Sequence, residues 1–147
     1  NHGGDTLGFH TEHLASLKYG NAGRLLAFKL NGELTLPRLD LLEKIIPEQP
    51  LLQSTEFQIS RGTELYGEYC AFCHGTAVRA GPALPDLRMM SNDSHELFKE
   101  IVYEGILSEN GMSSFSDVLS ENDVESIYHY IVKTASVDRQ IQLEQNN

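Results

Sequence analysis

The chain has 147 residues, of which 40% are hydrophobic and only two are cysteine. That length suits one domain with something attached, and no apolar run approaches the roughly 20 residues that a membrane-spanning helix needs. The net charge of −10, from 21 acidic and 11 basic residues, argues against nucleic acid and anionic membrane as partners. The acids are unevenly placed: between Asn92 and Ser126 there are nine, against one base, Lys99. Such a stretch is either a solvated face that keeps the protein in solution or a surface for a cationic partner. The first residues show neither a basic start nor an apolar h-region, so no secretory signal is expected within the chain.

Residues 1–36 read as an N-terminal extension. Asn1 to Gly23 is rich in Gly, His and Asn, with a short helix conceivable from Thr11 to Tyr19 and stopped by Gly20. His2, His10 and His13 suggest a metal cluster, but no cysteine or acidic pair completes one, and plain surface histidines are the simpler reading. From Arg24 the pattern changes. Leu26, Phe28 and Leu30 fall on one face, Asn31-Gly32 signals a tight turn, and Leu34 and Leu36 alternate with polar residues. This predicts a β-hairpin, which needs a larger sheet or a neighbouring domain because two strands alone are marginal in water. Residues 37–58 carry Pro37, Pro47 and Pro50 and read as a stiff, extended linker with a short helix around Arg38 to Ile46.

Residues 59–137 look like an all-α domain, followed by a tail at 138–147. Ser60 is the expected N-cap of a first helix, with Gly62, Leu65, Tyr66 and Tyr69 at helical spacing. A middle helix is predicted from Ser94 to Tyr103, with Leu97, Phe98, Ile101 and Val102 inward and Gly105 as its stop. A last helix should start at Ser120, with Asp123 three residues on, and carry Val124, Ile127, Tyr128 and Ile131 as its stripe. Three helices make a small core, and a bound apolar group would complete it.

The first helix runs into Cys70-Ala71-Phe72-Cys73-His74-Gly75. C-x-x-C-H is the attachment signature of a c-type haem. Two thiols that add to the two vinyl groups of one porphyrin must sit close together on one side of the ring. The adjacent histidine then offers an imidazole nitrogen to the iron from that side. A structural zinc site needs about four ligands and finds no third cysteine here. A thioredoxin-like dithiol would want alternating strands and helices around it. One covalent haem c is therefore expected on Cys70, Cys73 and His74. This chemistry belongs to an oxidising compartment, so a periplasmic location and a mature or cut chain are expected.

Candidates for the sixth iron ligand are Met89, Met90, Met112, His95 and His129. Met112 is favoured, because Gly111 lets the loop bend and present sulfur, and Met/His ligation suits an electron carrier. Such ligation closes the iron to substrate. Gly81-Pro82-Ala83-Leu84-Pro85-Asp86-Leu87 lies shortly after the motif, and a proline carbonyl there can accept from the second nitrogen of His74. Arg88 can pair with a propionate or with Asp86.

The chain resembles class I cytochromes c in Gly62-x3-Tyr66, Cys70-x2-Cys73-His74-Gly75, Gly81-Pro82-x-Leu84, Gly111-Met112 and Ile127-x2-Tyr130, in that order. The resemblance covers Ile59 to about Ala135. It implies that Gly62 and Tyr66 pack on Ile127 and Tyr130, that Pro82 accepts from His74, and that Met112 is the distal ligand. A narrower resemblance is to the C-terminal part of quinohaemoprotein alcohol dehydrogenases. It rests on Leu25 to Gly32, Thr35-Leu36-Pro37, Tyr69-Cys70, Pro85-Asp86-Leu87-Arg88 and Met112-x-Ser114-Phe115. That family implies an adjoining propeller with pyrroloquinoline quinone and calcium, neither of which these residues can hold. The chain is then expected to be no enzyme on its own but an electron-transfer domain. Its haem pocket would include Pro82, Leu84, Arg88 and Phe115, and its partner would be a redox protein or the quinoprotein domain. A free periplasmic carrier, and a haem enzyme or gas sensor with an open sixth position, are the alternatives.

Overall fold

The computed structural model describes residues 27–35, 45–80 and 84–145. The regular structure among them is helical, consistent with a cytochrome c fold, and contains no strand. The Thr11–Tyr19 helix, the three N-terminal histidines and most of the Arg38–Ile46 helix lie outside the described residues.

Of the expected hairpin, the described residues 27–35 show the turn, and the rest of it lies outside them. Gly32 N–H donates to Lys29 O at 3.0 Å, with Asn31 at φ +60°. Phe28, Leu30 and Leu34 are nearly fully exposed and pair with no strand among the described residues.

Helix α1 (Glu56–Leu65) starts earlier than Ser60. Thr55 caps it: Gln58 N–H donates to Thr55 Oγ1 at 3.2 Å, and Thr55 N–H donates to Gln58 Oε1 at 3.0 Å. This reciprocal capping box satisfies two otherwise orphaned donors, whereas Ser60 could satisfy one. A π-turn, Tyr66–Cys70, comes directly after it, and Ala71 N–H bonds Tyr66 O. Helix α2 (Ala71–His74) then carries the end of the cysteine motif to Gly75.

The middle helix is broken. Helix α3 (Asn92–Glu96) is capped by Ser91, not Ser94, and stops at Leu97 with ψ 15°. A π-turn at Glu100–Glu104 ends on Gly105 in the left-handed region, as expected. The break turns Leu97 outward, while Phe98 and Val102 stay buried.

Helix α4 (Glu121–Gln145) is the longest element. Ser120 and Asp123 form its cap: Asp123 N–H donates to Ser120 Oγ at 3.2 Å and Ser120 N–H to Asp123 Oδ2 at 3.1 Å. Val124, Ile127 and Ile131 are buried. The helix does not stop at 137. It runs on to Gln145, and Asp138 within it pairs with Arg79 and Arg88.

The core forms where α1 crosses α4. Gly62 lies against the Ser126 carbonyl and Tyr130, with no room for a Cβ. One turn on, the Tyr66 and Tyr130 rings meet at 5.2 Å between centroids. Arg61 and Asp123 close the crossing's edge at 3.0 Å. The helix crossing implied by the resemblance is thus present. The second half of the expected linker also lies on the domain. Ile46 and Gln49 are buried. Ile46 N–H donates to Gln142 Oε1 at 2.9 Å, and Gln49 Nε2 donates to Arg88 O at 3.2 Å. His129, one of the candidate ligands, is buried with Nδ1 2.6 Å from Ser54 Oγ.

Gly62→Ala pushes a methyl into backbone that cannot yield and is expected to cost about 3 kcal/mol, the upper part of the overpacking range, in a urea titration. A second expectation concerns pH. His95 bonds Tyr128 through Nδ1 at 3.1 Å, while its buried Nε2 has no partner among the described residues. Burial holds its pKa below the ordinary 6.5. The unfolded chain therefore takes up this proton first as pH falls, so this contribution to stability is complete well above 6.5 and is lost below it. His95→Gln is expected to flatten the change in urea midpoint between about pH 7.5 and 5.5.

Candidate haem site

The π-turn and α2 place the motif residues differently. Cys70 is buried, Cys73 is exposed, and the two are not bridged. Phe72 between them is almost wholly exposed. Burial, with neighbouring Cys73 adding to it, pushes the Cys70 thiol up to about 12. That position favours a neutral sulfur, as in a thiol or thioether, over the thiolate of a reactive dithiol. No group of three His, Cys, Asp or Glu side chains able to hold a metal occurs among the described residues. The donor set fits thioether attachment of a haem and does not fit zinc.

His74 is buried, and its ring is oriented from behind. Nδ1 lies 3.0 Å from the carbonyl of Pro85, so it is the protonated nitrogen and Nε2 carries the lone pair. The acceptor expected from sequence is Pro82, which lies outside the described residues. Both prolines sit in the same short segment, and spacing alone does not say which carbonyl turns toward the ring. The backbone of the motif is held by Tyr66, whose hydroxyl donates to Gly75 O at 2.8 Å and to His74 O at 3.2 Å. Burial raises the Tyr66 pKa, so it remains a donor at any ordinary pH. Gly75 then turns the chain at φ +74°, where a Cβ would collide with the Arg79 carbonyl.

Met112 is close to His74 and half-buried against the core. It lies next to Gly111 in the left-handed region, and its N–H donates to Leu107 O at 3.2 Å. Phe115 packs on the same core, edge-on to Tyr69 at 6.2 Å, with its N–H on Val102 O at 3.0 Å. Met90 also packs on the core. Leu84 is exposed. Arg88 takes the Asp86 partner that the sequence offers, with NH2 to Oδ2 at 2.6 Å, and adds Asp138 through NH1 at 3.0 Å. Sequence reasoning misses Asp138, which lies 50 residues from Arg88 and carries no local signal. Of the two histidines weighed as ligands, His95 meets Tyr128 and His129 meets Ser54, each through Nδ1.

Residues 57–131 match the family model described as cytochrome C oxidase, cbb3-type, subunit III. The chain belongs to this cytochrome c family. A covalent haem c is the cofactor that such a domain implies. This cytochrome is 38% identical over 116 residues to a quinohemoprotein alcohol dehydrogenase, ADH IIB, of Pseudomonas putida, a match covering 76% of the chain and 16% of the relative. It is 32% identical over 130 residues to the dehydrogenase subunit of an alcohol dehydrogenase (quinone) of Gluconobacter oxydans (strain 621H), covering 86% and 17%. The solved quinohemoprotein alcohol dehydrogenase ADHIIG of Pseudomonas putida HK5 superposes with a TM-score of 0.61 at 33% identity, covering 78% and 16%. The chain thus spans about one sixth of these relatives' length, and the part matched is their cytochrome c region. No described helix is long and apolar enough to cross a membrane.

Tyr66 is the residue whose loss separates packing from motif geometry. Tyr66→Phe keeps the ring on Tyr130 and strips the donor from two carbonyls at the motif. It is expected to lower stability by about 1–3 kcal/mol, read as a reduced urea midpoint with the haem still attached.

Proposed function

We propose that this cytochrome is a one-electron relay, with a single haem held by thioethers from Cys70 and Cys73 and ligated by His74 Nε2 and Met112 sulfur. The observation that carries the reading is the 3.0 Å contact of His74 Nδ1 with the Pro85 carbonyl. It commits one ring nitrogen to the protein and leaves the other for iron, on a buried imidazole adjacent to two unbridged cysteines. Haem supplies the reversible ferrous–ferric couple. The chain's own work is to fix the two ligands, to exclude water with Phe115 and the aromatic residues around it, and to keep small molecules from the iron. Leu84 would border the site on the side of the proline segment. Arg88 would act through its ion pairs, since Asp86 and Asp138 already hold its guanidinium.

The relatives are quinohemoprotein and quinone-type alcohol dehydrogenases by name. By that likeness, electrons would come from an adjoining quinone-bearing dehydrogenase domain and leave to an acceptor protein in the periplasm. The parent enzyme would carry the quinone, with its calcium, outside the described residues. The acid-rich stretch from Asn92 to Ser126 suits an acceptor of positive charge.

Met112→Ala tests the ligation. The wild-type reduced protein is expected to bind carbon monoxide slowly or not at all. The variant is expected to bind it promptly, with a midpoint potential displaced downward because a thioether favours ferrous iron. Prompt binding by the wild type, or a variant with unchanged oxidised and reduced spectra, would overturn the assignment.

A further inference from the structure

The loop that leaves His74 is pinned at both ends by one carboxylate. Arg79 donates to Asp138 through Nε to Oδ2 at 2.9 Å and through NH2 to Oδ1 at 2.7 Å. Arg88 donates from NH1 to the same Oδ2 at 3.0 Å. Arg88 in turn grips Asp86 through Nε at 3.0 Å, NH2 at 2.6 Å and its own backbone N–H at 3.0 Å. Asp86 is the direct neighbour of Pro85, whose carbonyl meets His74. From the other side, Gln49 Nε2 donates to Arg88 O.

This network is unlike the Arg61–Glu64 and Lys99–Glu121 pairs. Glu64 and Glu121 are mostly exposed in theirs, and such pairs contribute little. The Asp138 side chain is only 9% exposed. Burial alone would raise its carboxyl, yet the hydrogen bonds and charges of Arg79 and Arg88 outweigh that and hold it below the ordinary carboxylate range. A buried carboxylate released from its partners is strongly destabilising, so the arginines are not free to leave it. Forked guanidinium–carboxylate contacts also fix angle as well as distance. Asp138 lies beyond the matched family region, which ends at 131.

We infer that Asp138 is a positioning residue for the axial histidine: through Arg88 and Asp86 it sets the Pro85 carbonyl on His74 Nδ1, and through Arg79 it fixes the near end of the same loop. This rests on the proposed ligation by His74. A firm Nδ1–H···O=C bond makes the imidazole more basic, and a more basic ligand favours ferric iron. Slackening the clamp therefore moves the midpoint potential upward.

The test uses the haem-loaded protein and two readouts. One is the solvent-exchange rate of the His74 Nδ1 proton in the ferrous state by NMR; the other is the midpoint potential. In the wild type, His74 ring protons displaced by the haem ring current establish the ligation. Their absence there sinks the ligation and the clamp together. Given ligation, Asp138→Asn is expected to speed Nδ1 exchange at least tenfold and raise the potential. Arg88→Lys keeps the charge but removes the fork, and is expected to move both readouts in the same direction. It decides the matter if Asp138→Asn fails to take up haem. Asp123→Asn, which loosens the Arg61 pair on the far edge of the helix crossing, is expected to lower thermal stability and leave both readouts unchanged. Wild-type exchange and potential in Asp138→Asn and Arg88→Lys, or shifts no larger than those of Asp123→Asn, would overturn the proposal.

Discussion

The contact between Gly62 and the backbone of α4 is the constraint on which the rest depends. Because no Cβ stands between them, α1 and α4 approach closely enough for Tyr66 to lie against Tyr130 with its hydroxyl still reaching the carbonyls of His74 and Gly75. One crossing thus sets both the core and the end of the cysteine motif. A larger residue at 62 would move the two helices apart and take the Tyr66 hydroxyl away from the site. The motif has its spacing from sequence, but it has its position from this contact.

The π-turn at Tyr66–Cys70 is the second element of that arrangement. Widening the helix by one residue in a turn rotates the downstream side chains relative to the upstream ones. Leu65 and Tyr66 remain inward and Cys70 is buried, while Phe72 and Cys73 are carried outward. The two sulfurs of the motif are thereby given different depths. The second π-turn, at Glu100–Glu104, works similarly beside the Met112 loop: it delivers the chain to Gly105, whose neighbourhood is closed by Ser114.

These turns also explain why some features are legible in the sequence and others are not. The cysteine motif, the Ser120–Asp123 cap, the Gly105 stop and the α4 stripe depend on residues close together in the chain, and each can be read locally. The start of α1 is misplaced in sequence because Ser60 and Thr55 are both good caps, and only the Gln58 partner separates them. The break at Leu97 and both π-turns violate the 3.6-residue period on which such readings rest. The Pro85 contact, and Asp138 with its two arginines, span 11, 50 and 59 residues, which no local pattern encodes.

Three tethers fasten the entry segment to α4 and the haem loop: Ile46 to Gln142, Gln49 to Arg88, and Ser54 to His129. They fall at both ends and the middle of the stretch from 46 to 54. A pivot for this domain against anything that precedes it therefore cannot lie there. Rotation about a point upstream of Ile46 would carry the stretch and α4 together. Shortening the chain between 46 and 54 would therefore disturb the packing on α4 and Arg88 before it changed the reach.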